Sequence, residues 1–441
     1  MRGFATRSTV DAALAWVDMA AQVLESESVP AADSHGRVLA QPAVARWNVP
    51  AFVRGAMDGY AVQAEDTLGA GSYNPLSLRV AGESLPGRPW RGTIEPGTCV
   101  RIMTGAPLPD GADAVVPVEQ TETTSIAPVA DSATAGRGAS GGPLEQREHI
   151  LVLEGVPPGK HVGRIGEDVM AGREVLPACR VLRPQDVGLL AAVGLERVEV
   201  VRAPRVRILV TGNELVAPGA DKSPWQIVDS NTDMLRGLVT RDGGRVVAAE
   251  RLSDQRELIR ERLLAPGADI VLVSGGSSVG AEDHAPSLVA ELGELAIHGV
   301  AMRPSSPAGM GRIGGALVFL LPGNPVSCLC AYDFFAGRAI RRMGGRGGVR
   351  PYRTTVATLR RKLVSPVGRV DYARVQWVGG EIEPLATSGA SILSSTVRAD
   401  GFVIVPAELE GYAPGSRVTV HLYDAEPTDA EGSLTAAEGP S

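Results

Sequence analysis

Three short segments carry residue types that bind anions and hard cations: Thr211-Gly-Asn-Glu-Leu215, Ser274-Gly-Gly-Ser-Ser-Val-Gly280 and Leu321-Pro-Gly-Asn-Pro-Val326. In the second, Ser274, Gly275, Gly276 and Ser278 combine glycine with hydroxyls, so backbone N–H groups can converge on an anion without Cβ atoms in the way. It is not a Walker A loop, because no Gly-Lys-Ser/Thr follows, and not a GxGxxG dinucleotide fingerprint. A tight strand-to-helix turn would have the same composition. Carboxylates stand nearby: Glu214, Asp229 within Ile227-Val-Asp-Ser-Asn-Thr232, and Asp283. Three acids around one anion loop suit a divalent cation bridging protein oxygens to phosphate, magnesium first among them. Asp229 and Asp283 equally suit the caps of helix N-termini.

The surrounding pattern says what positions these loops. Val206–Val210, Val246–Ala249, Ile270–Val273 and Leu317–Leu321 are short apolar runs suited to buried strands. Helices are expected between them at Thr232–Asp242 and at Gln255–Leu264, the latter capped by Asp254. That alternation predicts a parallel sheet with helices on both faces, whose ligands bind beyond the carboxyl ends of the strands. The expected fold class is therefore multidomain α/β plus β. The α/β domain spans 203–345. A helix begins near Ser8 or Thr9, with Val10, Ala13, Leu14, Val17, Ala21 and Leu24 on one face, and another covers Val181–Val193. These place an N-terminal and linker domain at 1–45 with 150–202. Short strands such as Ser77–Val80 and Cys99–Met103 make a small β-rich domain of 46–149, with 121–148 as a flexible loop. Alternating pieces at Thr355–Leu359, Ala373–Val378, Phe402–Val405 and Arg417–Leu422 predict a C-terminal β-barrel-like domain over 346–424. The acidic tail 425–441 is expected to be disordered.

Composition narrows the function class. The 441 residues have room for about three domains. A net charge of −7 argues against a nucleic-acid coat, and no apolar run approaches the length of a membrane span. Cys99, Cys179, Cys328 and Cys330 form neither a CxxC motif nor a zinc spacing, so a reducing cytoplasm is the expected compartment.

Eight segments together resemble the molybdopterin molybdenumtransferases, the family of MoeA-type proteins and the gephyrin E domain. They are Met57-Asp-Gly-Tyr-Ala61, Gly82-Glu-Ser, Arg101-Ile-Met-Thr-Gly-Ala-Pro107, Gly166-Glu-Asp168, Thr211–Leu215, Asp229-Ser-Asn231, Ser274–Gly280 and Leu321–Ser327. The resemblance runs in order from about residue 8 to 423. It implies binding of adenylylated molybdopterin on the α/β domain, insertion of molybdate into the dithiolene, and release of AMP in a magnesium-dependent step. It also implies a homodimer, each site completed by the Met-Asp-Gly-Tyr loop of the other chain, with the molybdopterin adenylyltransferase as a candidate delivery partner. Asp58, Thr104, Glu214 and Asp283 match the catalytic positions, Glu214 and Asp283 also as magnesium ligands. Asp229, Ser230 and Asn231, the loop residues Ser274, Gly275, Gly276 and Ser278, and Pro322, Gly323, Asn324 and Pro325 match substrate contacts. Arg303, Arg374 and Ser391 do so too, the last two as donors to a molybdate oxyanion.

The chain departs from this pattern in its cations. Family members carry a Lys-Pro-Gly-Lys-Pro type of run where this chain reads Met302-Arg-Pro-Ser-Ser-Pro307; Arg303 keeps one charge, and Gly299 and Ser306 stand where further lysines often sit. A family pair of adjacent acids aligns with Ser253-Asp254. Fewer cations weaken attraction for a phosphorylated substrate. A non-catalytic pterin- or nucleotide-binding relative, or a scaffold, is therefore the alternative to the enzyme.

Overall fold

The computed structural model describes residues 7–125, 148–277, 283–386 and 391–424. At its centre is a six-stranded sheet in the order Arg245–Leu252, Arg205–Thr211, Ile270–Ser274, Ala316–Leu321, Gly309–Ile313, Glu294–His298. The first four strands are parallel, as their apolar runs predict. The last two, which lie outside those runs, are antiparallel, so the sheet is mixed. Burial on both faces explains the runs. Ile208, Val210, Ile270, Leu272 and Phe319 face one core with helices Asn231–Arg241 and Gly337–Met343. Leu209, Val271, Val273, Val318 and Leu320 face the other, with helices Arg256–Leu264 and His284–Leu292.

The N-terminal helix Val10–Ala20 is capped by Thr9, whose hydroxyl accepts from Ala12 N at 3.1 Å. It ends before Leu24, which still packs on the same core. Val10, Ala13 and Val17 join the first α/β core, and Asp18 receives Arg338 Nε and Nη2 at 2.6 and 2.7 Å. This helix thus packs with the α/β body. Strand Ser26–Pro30 pairs with Arg197–Val201 and packs beside helix Pro184–Ala192, which starts three residues later than its apolar pattern suggests. Pro184 explains the start: it fits the first helical turn but has no N–H to continue one.

A second six-stranded sheet carries the Met57–Ala61 segment, in the order Ala114–Pro117, Gly59–Val62, Thr98–Ile102, Leu76–Ser84, Glu148–Val152, Thr121–Ser125. The stretch expected to be a loop over 121–148 is strand at both ends, and these strands pair antiparallel. Residues 126–147 and the tail 425–441 lie outside the described residues.

The C-terminal body closes as expected for a barrel. Glu381–Ala386, Val370–Val378, Gly401–Val405, Arg417–Leu422 and Arg353–Thr358 pair in sequence. A Leu359–Ile382 bridge then joins the two ends. The α/β chain contributes a strand of its own: Met302–Arg303 pairs with Val370 and Asp371.

Beneath this barrel, Phe402 stacks between Tyr372 (4.0 Å between ring centroids) and His421 (4.8 Å). Burial, and secondarily Arg350, lowers the His421 pKa to about 4. Its Nδ1 has no partner among the described residues. The neutral ring is the folded form, so its contribution is full above the unfolded value of about 6.5 and is lost as pH falls towards 4. His421→Phe should therefore flatten the fall in denaturation midpoint between these pH values. An unchanged slope would show that other groups cause it.

Candidate active site

The crossovers leave the first strand, Arg205–Thr211, between its two successors in the chain, so strand order reverses beside its carboxyl end. Such a switch point opens a crevice. Here it is a cavity of about 670 Å³.

Three loops form its floor, and Asn231 ties the second and third of them to its own helix. As the first residue of its helix, it donates its backbone N–H to Asp229 Oδ1 at 3.0 Å. Its side-chain Nδ2 donates to Ser274 Oγ at 2.9 Å and to the Gly323 carbonyl at 2.8 Å. A carbonyl only accepts, so Gly323 fixes which end of the amide is nitrogen. Asp229 stands one residue ahead of the N-cap Ser230 and covers the first turn of the helix, accepting also from Thr232 N at 3.1 Å and Thr232 Oγ1 at 2.5 Å. Of its two expected roles, the structure shows the capping one.

The glycine loop is shaped by close approach. Gly275 has φ +92°, and a Cβ there would lie 2.3 Å from the Thr211 carbonyl oxygen; Gly276 has φ +55°. Only glycine tolerates both conditions. His298 Nε2 meets the Ser277 carbonyl at 3.0 Å, which anchors the loop from the far side. Asp254 does not cap its helix: the cap position is Gln255, and the Asp254 carboxylate accepts from Asn213 N at 3.0 Å while Asn213 Oδ1 accepts from Asp254 N at 3.1 Å. This reciprocal clasp holds the first loop open beside Glu214.

Most of the residues expected from sequence meet here. Glu214 and Asp283 line the cavity, as do Asp229, Ser230 and Asn231. So do Ser274, Gly275 and Gly276 on the second loop, and Pro322, Gly323, Asn324 and Pro325 on the third. Ser391 enters from the C-terminal body. Ser278 lies outside the described residues. Thr211, Asp254, Ser277 and Pro307 also line the cavity, and were not picked out as contacts. Thr211 is legible as the end of its strand and Asp254 through the adjacent-acid pair; Pro307 arrives by tertiary folding.

Four expected residues are elsewhere. Arg303 is spent on Asp371: its Nε donates to Oδ1 at 3.1 Å and its Nη2 to Oδ2, so it joins the α/β body to the barrel and does not line the cavity. The buried Asp371 carboxylate requires that cation. Arg374, which sequence alone would leave in solvent, is only 1% exposed and is absent from the cavity lining. Neither arginine reaches an anion in the cleft as it stands. Asp58 and Thr104 sit together at the end of the second sheet, in the bends before Gly59–Val62 and after Thr98–Ile102, away from the cavity lining. The Asp58 carboxylate accepts from Thr104 N and Thr104 Oγ1, both at 2.7 Å, and these bonds hold it below the usual carboxylate range. Gly59 starts a strand, and a Cβ on it would lie 2.0 Å from the Val116 carbonyl oxygen. At Ser306, where a lysine is absent, Arg7 brings a guanidinium, its Nε donating to Ser306 Oγ at 2.7 Å.

Three family models match the chain in order: the MoeA N-terminal region (domain I and II) over 8–194, a probable molybdopterin binding domain over 207–342, and the MoeA C-terminal region (domain IV) over 356–423. A molybdopterin molybdenumtransferase 2 of Mycobacterium tuberculosis is 36% identical over 405 residues, covering 89% of this chain and 94% of that one. The chain belongs to the molybdopterin molybdenumtransferase family. The molybdopterin biosynthesis MoeA protein of Pyrococcus horikoshii has the same fold, with a TM-score of 0.75 and 31% identity over 96% of this chain and 100% of that one. A Haemophilus influenzae molybdopterin molybdenumtransferase is 29% identical over 409 residues, 91% of this chain and 94% of its own. Membership spans all three bodies, so it is not confined to the α/β domain. Among the described residues no helix is long and apolar enough to cross a membrane.

Proposed function

We propose that this protein inserts molybdate into adenylylated molybdopterin and releases AMP, and that it works as a cytoplasmic homodimer. The observation that carries the reading is the cleft itself: a glycine loop, a Pro-Gly-Asn-Pro turn and a capped helix N-terminus, held at fixed spacing by Asn231, with Glu214 and Asp283 both lining it.

The donor set suits magnesium. Among the described residues no three His, Cys, Asp or Glu side chains form a protein-only cage. Two carboxylates completed by substrate phosphate oxygens are the usual arrangement for this ion. Glu214 and Asp283 would hold it, and it supplies positive charge against the phosphates of the adenylate. The chain's own residues do the rest. Gly275 and Gly276 bring backbone close to the ligand without side chains in the way. The helix N-terminus at Asn231 favours negative charge. Ser391 offers a hydroxyl from the barrel side. The Asp58–Thr104 pair lies off the cleft of its own chain, which supports a dimer in which this pair serves the neighbouring site.

The test is to incubate the purified protein with adenylylated molybdopterin, molybdate and magnesium, following AMP and active cofactor together. AMP should appear in step with cofactor and stop when magnesium is chelated. Tight binding of the adenylate without AMP release, under any metal condition, would refute the enzyme.

A further inference from the structure

Thr211 ends the strand that opens the cleft, and only 4% of its surface is exposed. Its Oγ1 has no hydrogen-bond partner among the described residues. The neighbouring hydroxyls differ. Ser274 Oγ accepts from Asn231, and Thr232 Oγ1 donates to Asp229. A buried hydroxyl left unpaired destabilises the free protein, and side chains of this kind persist where a ligand completes them.

The surroundings indicate what that ligand offers. A Cβ on Gly276 would lie 3.1 Å from Thr211 Oγ1 and 3.8 Å from Asp283 Oδ1, so the hydroxyl, the carboxylate and the glycine backbone converge. The glycine turn therefore brings bare backbone close beside the hydroxyl, where a side chain would crowd it. A hydroxyl there brings a proton that wants an acceptor, on a loop otherwise shaped for anions.

We propose that the Thr211 hydroxyl is a substrate-binding group that donates a hydrogen bond to a phosphate oxygen of the adenylate. This rests on the reading of the cleft as an adenylate site. It assigns a contact outside the carboxylates and the proline turn, and it explains a polar atom that the fold alone leaves unsatisfied.

Thr211→Val keeps the shape and removes only the hydroxyl; Thr211→Ser keeps the hydroxyl. Isothermal titration of AMP and of adenosine, with magnesium and with chelator, should show AMP affinity about ten- to a hundredfold weaker in the valine variant. The serine variant should stay near wild type, and adenosine, lacking phosphate, should not discriminate between them. The free valine variant should melt at or above the wild-type temperature, because an unsatisfied group is gone. A lower melting temperature with unchanged AMP affinity would make the hydroxyl structural and overturn the proposal. A loss seen only with magnesium present would assign it to the cation, which also overturns it. If the wild type binds adenylylated molybdopterin but Thr211→Val binds AMP equally well, this contact fails and the functional reading stands. If the wild type binds neither, the functional reading itself fails and takes the contact with it.

Discussion

An equal mixture of Asp58→Ala and Asp283→Ala chains, unfolded and refolded together, should regain about a quarter of wild-type AMP release, while either variant alone should lose at least about a hundredfold. Random pairing makes half the dimers mixed. In each mixed dimer one cleft has both mutations and the other has neither. The expectation follows from where the groups lie. Asp283 lines the cleft, whereas Asp58 is bonded to Thr104 on a separate sheet and does not. Rescue would show that Asp58 acts on the partner's cleft. If mixed dimers are verified by differently tagged chains and stay inactive, the two carboxylates serve one chain and the shared-site geometry is wrong.

Asp333→Ala should cost about 1–3 kcal/mol of stability, a large loss for a residue remote from the chemistry. Asp333 lies in a π-helical turn over Tyr332–Ala336 and has no exposed side chain. It accepts from Arg241 Nη2 at 2.9 Å and from the Tyr352 hydroxyl at 2.8 Å. Arg241 ends the helix that Asn231 begins, and Tyr352 stands at the entry to the barrel. One carboxylate thus secures the cleft helix against the C-terminal body. Removing it takes the acceptor from the Tyr352 hydroxyl and leaves Arg241, 28% exposed, with Asp242 Oδ2 at 2.9 Å as its carboxylate. Replacing the set together, as Asp333→Leu with Arg241→Met and Tyr352→Phe, should recover part of the loss; Asp242 gives up Arg241 but keeps Arg341 at 2.9 Å. Denaturant midpoints would decide, and a loss below about 1 kcal/mol in the single variant would show that water reaches the network.

Much of this architecture is legible in the residue order, and the exceptions share a cause. Strands buried on both faces announce themselves as apolar runs, which is why Val206–Val210 and Leu317–Leu321 were visible. The antiparallel strand Gly309–Ile313 was not, because Gly309 and Gly311 look like turn residues. They are glycines for another reason: a Cβ on Gly311 would lie 2.0 Å from the Glu294 carbonyl oxygen of the neighbouring strand. In the same way, the loops of the cleft could be read from glycine and acid spacing, but the fates of Arg303 and Arg374 could not. Charge argues for solvent or a ligand unless the chain brings an Asp371 alongside, 68 residues away. The Asp58–Thr104 bond, spanning 46 residues, is likewise invisible to any local pattern.

Met302 and Arg303 leave the ribosome before any other strand of the barrel they join. Until Val370 and Asp371 follow, the nascent α/β body carries an unmated backbone edge and a guanidinium without its carboxylate. The reverse holds for the barrel made alone, whose Asp371 would be walled in with no counter-charge. The division between these bodies along the chain is therefore not a division in the folded molecule. A cut near residue 346 should yield two incomplete pieces, and a chimera that exchanges barrels between relatives needs the 302–303 segment to travel with its new sheet.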